Sequence, residues 1–199
     1  MRIYVCSSNP GKLGEFALVA HQAGLADVAL EALPELKRIQ PPEETGSTFE
    51  ENATAKALYY SGFTSEVVLA DDSGLSVDAL NGAPGVLSAR YAGPNATDDE
   101  NNNLLLRDLG TSAHREARFV CVLALAREGR VLRTYHGVVE GRILLEPRGT
   151  NGFGYDPLFF YPPFNCSFGE LPPQKKFSVS HRGNAIRALV KELPQLGKA

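Results

Sequence analysis

A short apolar run that delivers two adjacent acids constrains this chain more than any other stretch. Val67-Val68-Leu69-Ala70 has the length and branching of a buried strand, and it carries Asp71 and Asp72 to a point where Ser73-Gly74 interrupts the pattern. Successive side chains of an extended segment point to opposite faces, so one carboxylate can face a cleft while the other braces it or leans on the same ion. Two carboxylates this close repel each other unless a cation or strong donors lie between them. A hard divalent metal, Mg²⁺ or Mn²⁺, suits the pair because it takes oxygen ligands and shares them with substrate phosphates. Asp, Ser and Gly are also the ordinary material of solvated turns, and taken alone the stretch reads either way.

The rest of the chain bounds the possibilities. At 199 residues, 43% of them apolar, it can bury the core of one substantial domain or two intimate lobes, and it reads as a single domain over 1–199. A formal net charge of −3 argues against nucleic acid as the main partner, since duplex binders carry a basic excess, but leaves a small anionic ligand open. No apolar run reaches membrane-spanning length, and Met1-Arg2-Ile3-Tyr4-Val5-Cys6 turns polar too soon for a signal peptide, so the expectation is a cytoplasmic protein with no membrane partner. Cys6, Cys121 and Cys166 are odd in number and widely spaced, which favours reduced packing residues over a disulfide framework or a zinc site.

Taken in order, Arg2 to Cys6 reads as a first strand running into the loop Ser7-Ser8-Asn9-Pro10-Gly11-Lys12, after which Leu13 and Phe16 begin a helical spacing. Strand, tight loop and helix place backbone N–H groups and the positive end of a helix dipole where a phosphate could sit, with Lys12 adding a charge and Asn9 a neutral donor. The Gly-Lys-Ser/Thr pattern of a P-loop is missing, and the segment also reads as a plain turn with a solvated lysine. Residues 26 to 42 suggest a second strand and an irregular connection in which Pro34, Pro41 and Pro42 block regular helix.

A helix then opens with a capping box, Thr48 with Glu51 or Ser47 with Glu50. Phe49, Ala53, Ala57 and Tyr60 mark its inner side, while Thr48, Asn52 and Lys56 share another face, where a lysine aligned with an asparagine can reach a common anion or simply lie in solvent. Glu44, just ahead of the helix, either joins Asp71 and Asp72 as a third oxygen ligand or is exposed. Thr97 with Glu100 caps another helix, with Leu104, Leu105 and Leu109 inward and Gly110 at its end; Asp98-Asp99-Glu100 is accounted for as dipole complement and solvated surface.

Ala117 to Ala126 and Val131 to Val139 read as a hairpin. Glycines on both sides of Phe153 free the backbone to pass close to a ligand, and an aromatic ring there can stack on a base, with Asp156 able to receive hydrogen bonds; a Gly-rich turn with a core aromatic is the plainer alternative. A strand follows at Leu158 to Tyr161. Near the C-terminus Ser180 is the expected N-cap of a helix with Ile186, Leu189, Val190 and Leu193 inward. His181 and Arg182 would then lie in its first turn, where the dipole disfavours cations, so something negative or electron-rich should compensate.

In sequence order, Ser7 to Lys12, Thr48 to Ala57, Ala70-Asp71-Asp72-Ser73-Gly74-Leu75, Gly82-Ala83-Pro84-Gly85, Ser88-Ala89-Arg90-Tyr91, Phe153-Gly154-Tyr155-Asp156-Pro157 and Ser180-His181-Arg182-Gly183 resemble the inosine triphosphate pyrophosphatase family, the Ham1 or RdgB-like proteins. The resemblance implies an α/β fold with a long mixed β-sheet and flanking helices forming two lobes around a central cleft, a homodimer, and Mg²⁺-dependent hydrolysis of ITP, dITP and XTP to the monophosphate and pyrophosphate. Position by position it implies that Ser7, Ser8, Asn9, Pro10, Gly11 and Lys12 hold the triphosphate with Lys56, and that Glu44 and Asp72 bind the metal. Asp72 would also accept the proton of the attacking water with Asp71 assisting, and Ser73 would touch the substrate. Phe153, Gly154, Tyr155 and Asp156 would form the base pocket, closed by Lys176, His181 and Arg182. Two other readings stay open: a Maf-like pyrophosphatase of different substrate preference, and a nucleotide-binding protein without catalysis.

Overall fold

The apolar runs become strands of one mixed seven-stranded sheet in the order β2-β1-β3-β4-β5-β6-β7. In chain order the elements are β1 (Arg2–Val5), α1 (Pro10–Gln22), β2 (Ala29–Ala32), α2 (Phe49–Ser61), β3 (Val67–Val77), α3 (Asp98–Leu109), β4 (Glu116–Arg127), β5 (Arg130–Ile143), β6 (Phe159–Tyr161), β7 (Cys166–Ser167), α4 (Pro173–Val179) and α5 (His181–Leu196). This computed structural model describes residues 2–7, 9–22 and 29–196. Ser8 and residues 26–28 of the expected second strand therefore lie outside the described residues. Among those described, no helix is long and apolar enough to cross a membrane. Cys6, Cys121 and Cys166 are free thiols, the first two buried, as expected of packing residues.

Strand β1 pairs in parallel with β2 on one side, Ile3 opposite Leu30, and with β3 on the other, Ile3 opposite Val67. At the far end of the sheet β6 runs antiparallel to β5 and to β7. The β4–β5 hairpin is longer than its apolar runs suggested, because its turn is only Glu128-Gly129, both at positive φ (50° and 74°), the two-residue geometry whose twist matches the flanking strands.

The strand carrying the acids departs from expectation. Ser73-Gly74 does not end it; β3 continues to Val77, so Asp71 and Asp72 sit inside a strand rather than at its terminal turn. Gly74 is there because of a close approach: a Cβ would lie 2.3 Å from Ser88 Oγ and 2.7 Å from the Gly85 carbonyl oxygen. Residues Val67 to Asp72 are all buried, which places both carboxylates away from bulk water.

The chain divides into two compact units, Met1–Asp72 with Cys121–Gly137 and Arg182–Ala199, and Ser73–Val120 with Val138–His181. In the first, Ile3, Val5, Val68, Leu69, Leu123, Leu125, Ile186 and Leu189 are buried. In the second, Leu75, Leu105, Phe119, Leu158, Phe159 and Phe168 belong to one apolar cluster. Leu105 and Leu109 of α3 face inward as expected, Leu104 is half-buried, and Leu106 also packs against the cluster. Buried Arg115 staples this unit: its guanidinium donates to the carbonyls of Ile143 (2.7 Å), Leu144 (2.8 Å) and Gly110 (3.1 Å), joining the end of β5 to the loop after α3.

Candidate active site

Alternation along β3 sends Asp71 and Asp72 to different partners. Asp72 Oδ1 is 2.9 Å from the Lys56 ammonium, and its Oδ2 accepts from the Asn52 amide at 3.2 Å. Asn52 and Lys56 reach one carboxylate because they are four residues apart on α2, the stripe read from the sequence. That helix is held in register by the Thr48–Glu51 capping box, of the two that were open. Asn52 Oδ1 also accepts from the Gly46 N–H at 2.8 Å, pinning the loop that carries Glu44. A Cβ on Gly46 would meet Asn52 Oδ1 at 2.6 Å, so that loop can approach only as glycine. Glu44 Oε1 completes the arrangement at 2.7 Å from Lys56 Nζ.

Two carboxylates from separate segments thus converge on a single cation. Burial weighs most on Lys56 and opposes its charge, yet Asp72, Asp71 and Glu44 together raise its pKa. For Asp72 burial prevails and lifts the carboxyl above its ordinary value, because the ammonium it leans on is shared with Glu44.

Asp71 takes the other face. Its Oδ2 lies 2.7 Å from Lys12 Nζ and 3.7 Å from Arg182 Nη2. Burial alone would raise this carboxyl, but Lys12, Arg182 and Lys56 outweigh it and hold it at about 2, a permanent anion. Arg182, only 1% exposed, also pairs with Glu15. These two carboxylates are the negative partners that a cation in the first turn of α5 requires. Arg182, grouped on sequence grounds with Lys176 and His181, thus has its guanidinium among the acids of the first unit. Glu15 was not anticipated; its place one turn after Lys12 on α1 is the signal that could have found it.

Lys12 reaches this cluster because α1 starts where the loop expects. Asn9 Oδ1 accepts from the Lys12 N–H at 3.2 Å and Pro10 is the first helical residue, the arrangement of a capped N-terminus. Asn9 is therefore a cap first, with its Nδ2 as the donor that an anion could use.

A metal would fit here in a restricted way. The Lys56 ammonium marks where oxygens of Glu44 and Asp72 meet around one positive charge. Among the described residues no group of three or more His, Cys, Asp or Glu is arranged to hold a metal. The option of Glu44, Asp71 and Asp72 as a three-carboxylate site is thereby set aside, since Asp71 is turned to Lys12 and Arg182. Two carboxylates with the remaining positions left to phosphate oxygens and water is the way Mg²⁺ is ordinarily held.

The second unit gathers the other candidate residues. Asp156 Oδ2 accepts from the Phe153 N–H at 2.9 Å and from Lys176 Nζ at 2.5 Å, both side chains of this pair being buried. Lys176 Nζ also stands 4.6 Å from the centre of the Phe153 ring. Lys176 is placed by α4, a helix absent from the sequence reading; Pro173 at its first turn is the usual helix opener. Gly152, at φ +79°, lies so close that a Cβ would fall 2.0 Å from Asp156 Oδ2, so glycine is required for the carboxylate to fold back on its own loop. Tyr155 donates its hydroxyl to the Ser88 carbonyl at 2.8 Å, and burial is the main reason its phenol is raised far out of the titrating range. His181 is buried and stacked on Phe119, ring centres 4.8 Å apart and 14° from parallel. Ser73, half-buried, directly follows Asp72.

The chain as a whole is similar to known proteins. The model of the Ham1 family matches residues 3–192. A dITP/XTP pyrophosphatase of Exiguobacterium sibiricum is 48% identical over 191 residues, covering 95% of each chain, and one of Listeria innocua is 46% identical over 197 residues, covering 98% of this chain and 96% of its own. Among solved structures, a HAM1 protein from Coxiella burnetii superposes with a TM-score of 0.89 at 42% identity, over 98% of this chain and 99% of the other. The Ham1 protein of Staphylococcus aureus does so with a TM-score of 0.87 at 40% identity, over the same shares.

Proposed function

Because the chain belongs to the Ham1 family, we infer that it hydrolyses non-standard purine nucleoside triphosphates, ITP, dITP and XTP, to the nucleoside monophosphate and pyrophosphate, cleansing the nucleotide pool. Relatives that match it from end to end are dITP/XTP pyrophosphatases. The observation that carries the reading is the convergence of Glu44 and Asp72 on one positive charge. Asp71 and Lys12 stand on the other face of the same strand.

The triphosphate falls to the Ser7 to Lys12 loop, where Lys12 brings a charge and Asn9 an amide donor, and to Lys56, which trades its carboxylates for phosphate oxygens. Asp72 orients the attacking water and takes its proton, the role of a positioned general base. Asp71 stays ionised and assists by holding Lys12. Ser73 touches the substrate beside Asp72. Mg²⁺ or Mn²⁺ would be held by Glu44 and Asp72 and would supply neutralisation of the charge that develops at the phosphorus.

The purine falls to Phe153, Gly154, Tyr155 and Asp156, with Lys176, His181 and Arg182 closing the pocket. Lys176 and Arg182 are the donors offered to the 6-keto oxygen, the first held by Asp156 and the second by Glu15 and Asp71. Adenine presents an amino group at that position and would leave a buried donor unpaired, a penalty of roughly 1–3 kcal/mol. The enzyme would work as a cytoplasmic homodimer.

Pyrophosphate release from a panel of triphosphates, with and without Mg²⁺, tests the reading. ITP, dITP and XTP should be cleaved in preference to dATP, dGTP, dTTP and UTP, and only with the metal. Comparable turnover of dTTP or UTP would favour the Maf-like alternative. ITP bound but never cleaved would leave a nucleotide-binding protein.

A further inference from the structure

A single helix holds both backbone polar groups of one residue in the glycine-rich loop. Asp98 Oδ2 accepts from the Gly154 N–H at 2.6 Å, and Asn102 Nδ2 donates to the Gly154 carbonyl at 3.0 Å. Asp98 and Asn102 are four residues apart on α3, so their side chains stand one above the other on the same face. The loop needs such a hold. Gly152 and Gly154 have φ of +79° and +61°, and glycines leave the Phe153 segment with wide backbone freedom unless something outside it decides.

Asp98 opens α3, where an acid complements the dipole, and that alone would explain it. Asn102 has no such explanation. It is buried in the helix interior, and its Oδ1 has no hydrogen-bond partner among the described residues. A buried acceptor left unsatisfied is destabilising, so an apolar residue of similar size would serve packing better. What the amide supplies is the bond to Gly154.

We propose that Asp98 and Asn102 are positioning residues for purine recognition: by fixing the peptide on each side of Gly154 they set the direction in which the Phe153 ring and the Asp156 carboxylate meet the base. This rests on the reading of Phe153 to Asp156 as the base pocket. Neither side chain takes part in the chemistry, so their effect falls on substrate affinity and leaves turnover alone.

The test is kcat and KM for dITP in wild type, Asn102→Leu and Asp98→Ala, with competitive inhibition by inorganic tripolyphosphate as a measure of binding that involves no base. Losing one bond to the loop should raise KM for dITP about tenfold, with kcat within about twofold and tripolyphosphate inhibition unchanged. Asp98→Asn keeps an acceptor oxygen and should restore the wild-type KM. Asn102→Leu should melt no lower than wild type, whereas a purely structural amide would be missed in melting and not in KM. An unchanged KM in active variants overturns the inference alone, as does a parallel rise in KM and in the tripolyphosphate inhibition constant. Because Asp98 is exposed, Asp98→Ala carries the test if Asn102→Leu does not fold. A wild type that releases no pyrophosphate from dITP overturns the functional reading, and this inference with it.

Discussion

Asp72→Asn is expected to lower pyrophosphate release from dITP by about 10²–10⁴-fold, the usual scale for removing a positioned general base, while the protein stays folded. The amide keeps the volume of the carboxylate, and Lys56 keeps Glu44 as its partner. Turnover read beside a thermal melt separates the two effects. A variant that melts normally and turns over at near the wild-type rate would refute the role given to Asp72. A variant that fails to fold would show that the carboxylate is needed for structure, contrary to the account.

Lys56→Met should have the second largest effect, and on two quantities at once. Removing the ammonium leaves Glu44 and Asp72 facing each other in a site where Asp72 is buried. Breaking one side of a buried ionic cluster costs about 3 kcal/mol at the low end of the usual range, the end that applies because Glu44 keeps some solvent contact. Urea unfolding without divalent ions should report this loss, and Mg²⁺ should return part of it. In the wild type the same Mg²⁺ should stabilise less, because an ammonium already occupies the point where the two oxygens meet. Turnover should fall as well, through loss of a phosphate-facing cation. Equal stabilisation of both proteins by Mg²⁺ would mean that the metal does not compete with Lys56 for Glu44 and Asp72.

The parts of this site that were legible in the sequence share a cause: they depend on local periodicity. Asn52 and Lys56 fall on one stripe because a capped helix repeats every 3.6 residues. Asp71 and Asp72 separate because a strand repeats every second residue. Phe153 was singled out by its flanking glycines, both of which adopt positive φ.

What was illegible depends on contacts between distant segments. Ser73-Gly74 looked like a break because Gly usually is one, and only the nearness of Ser88 explains a glycine inside a continuing strand. Arg182 was placed with Lys176 and His181 by the family resemblance, and nothing local reveals that its guanidinium pairs with Glu15 and Asp71, far away along the chain. Asp98 was set aside as dipole complement because nothing local reveals that Gly154, 56 residues further on, presents its N–H there. Helix α4 is short, and Pro172 ahead of it with Pro173 at its first position mask a pattern that a longer helix would have displayed.

The account stands on Glu44 and Asp72 sharing one divalent ion during hydrolysis. Counting Mn²⁺ bound per chain by electron paramagnetic resonance, in the presence of a dITP analogue with a non-hydrolysable α,β bridge, tests this directly. The expected result is a single tightly held ion in the wild type that is lost in both Glu44→Gln and Asp72→Asn. Undiminished Mn²⁺ binding in the double variant would contradict it.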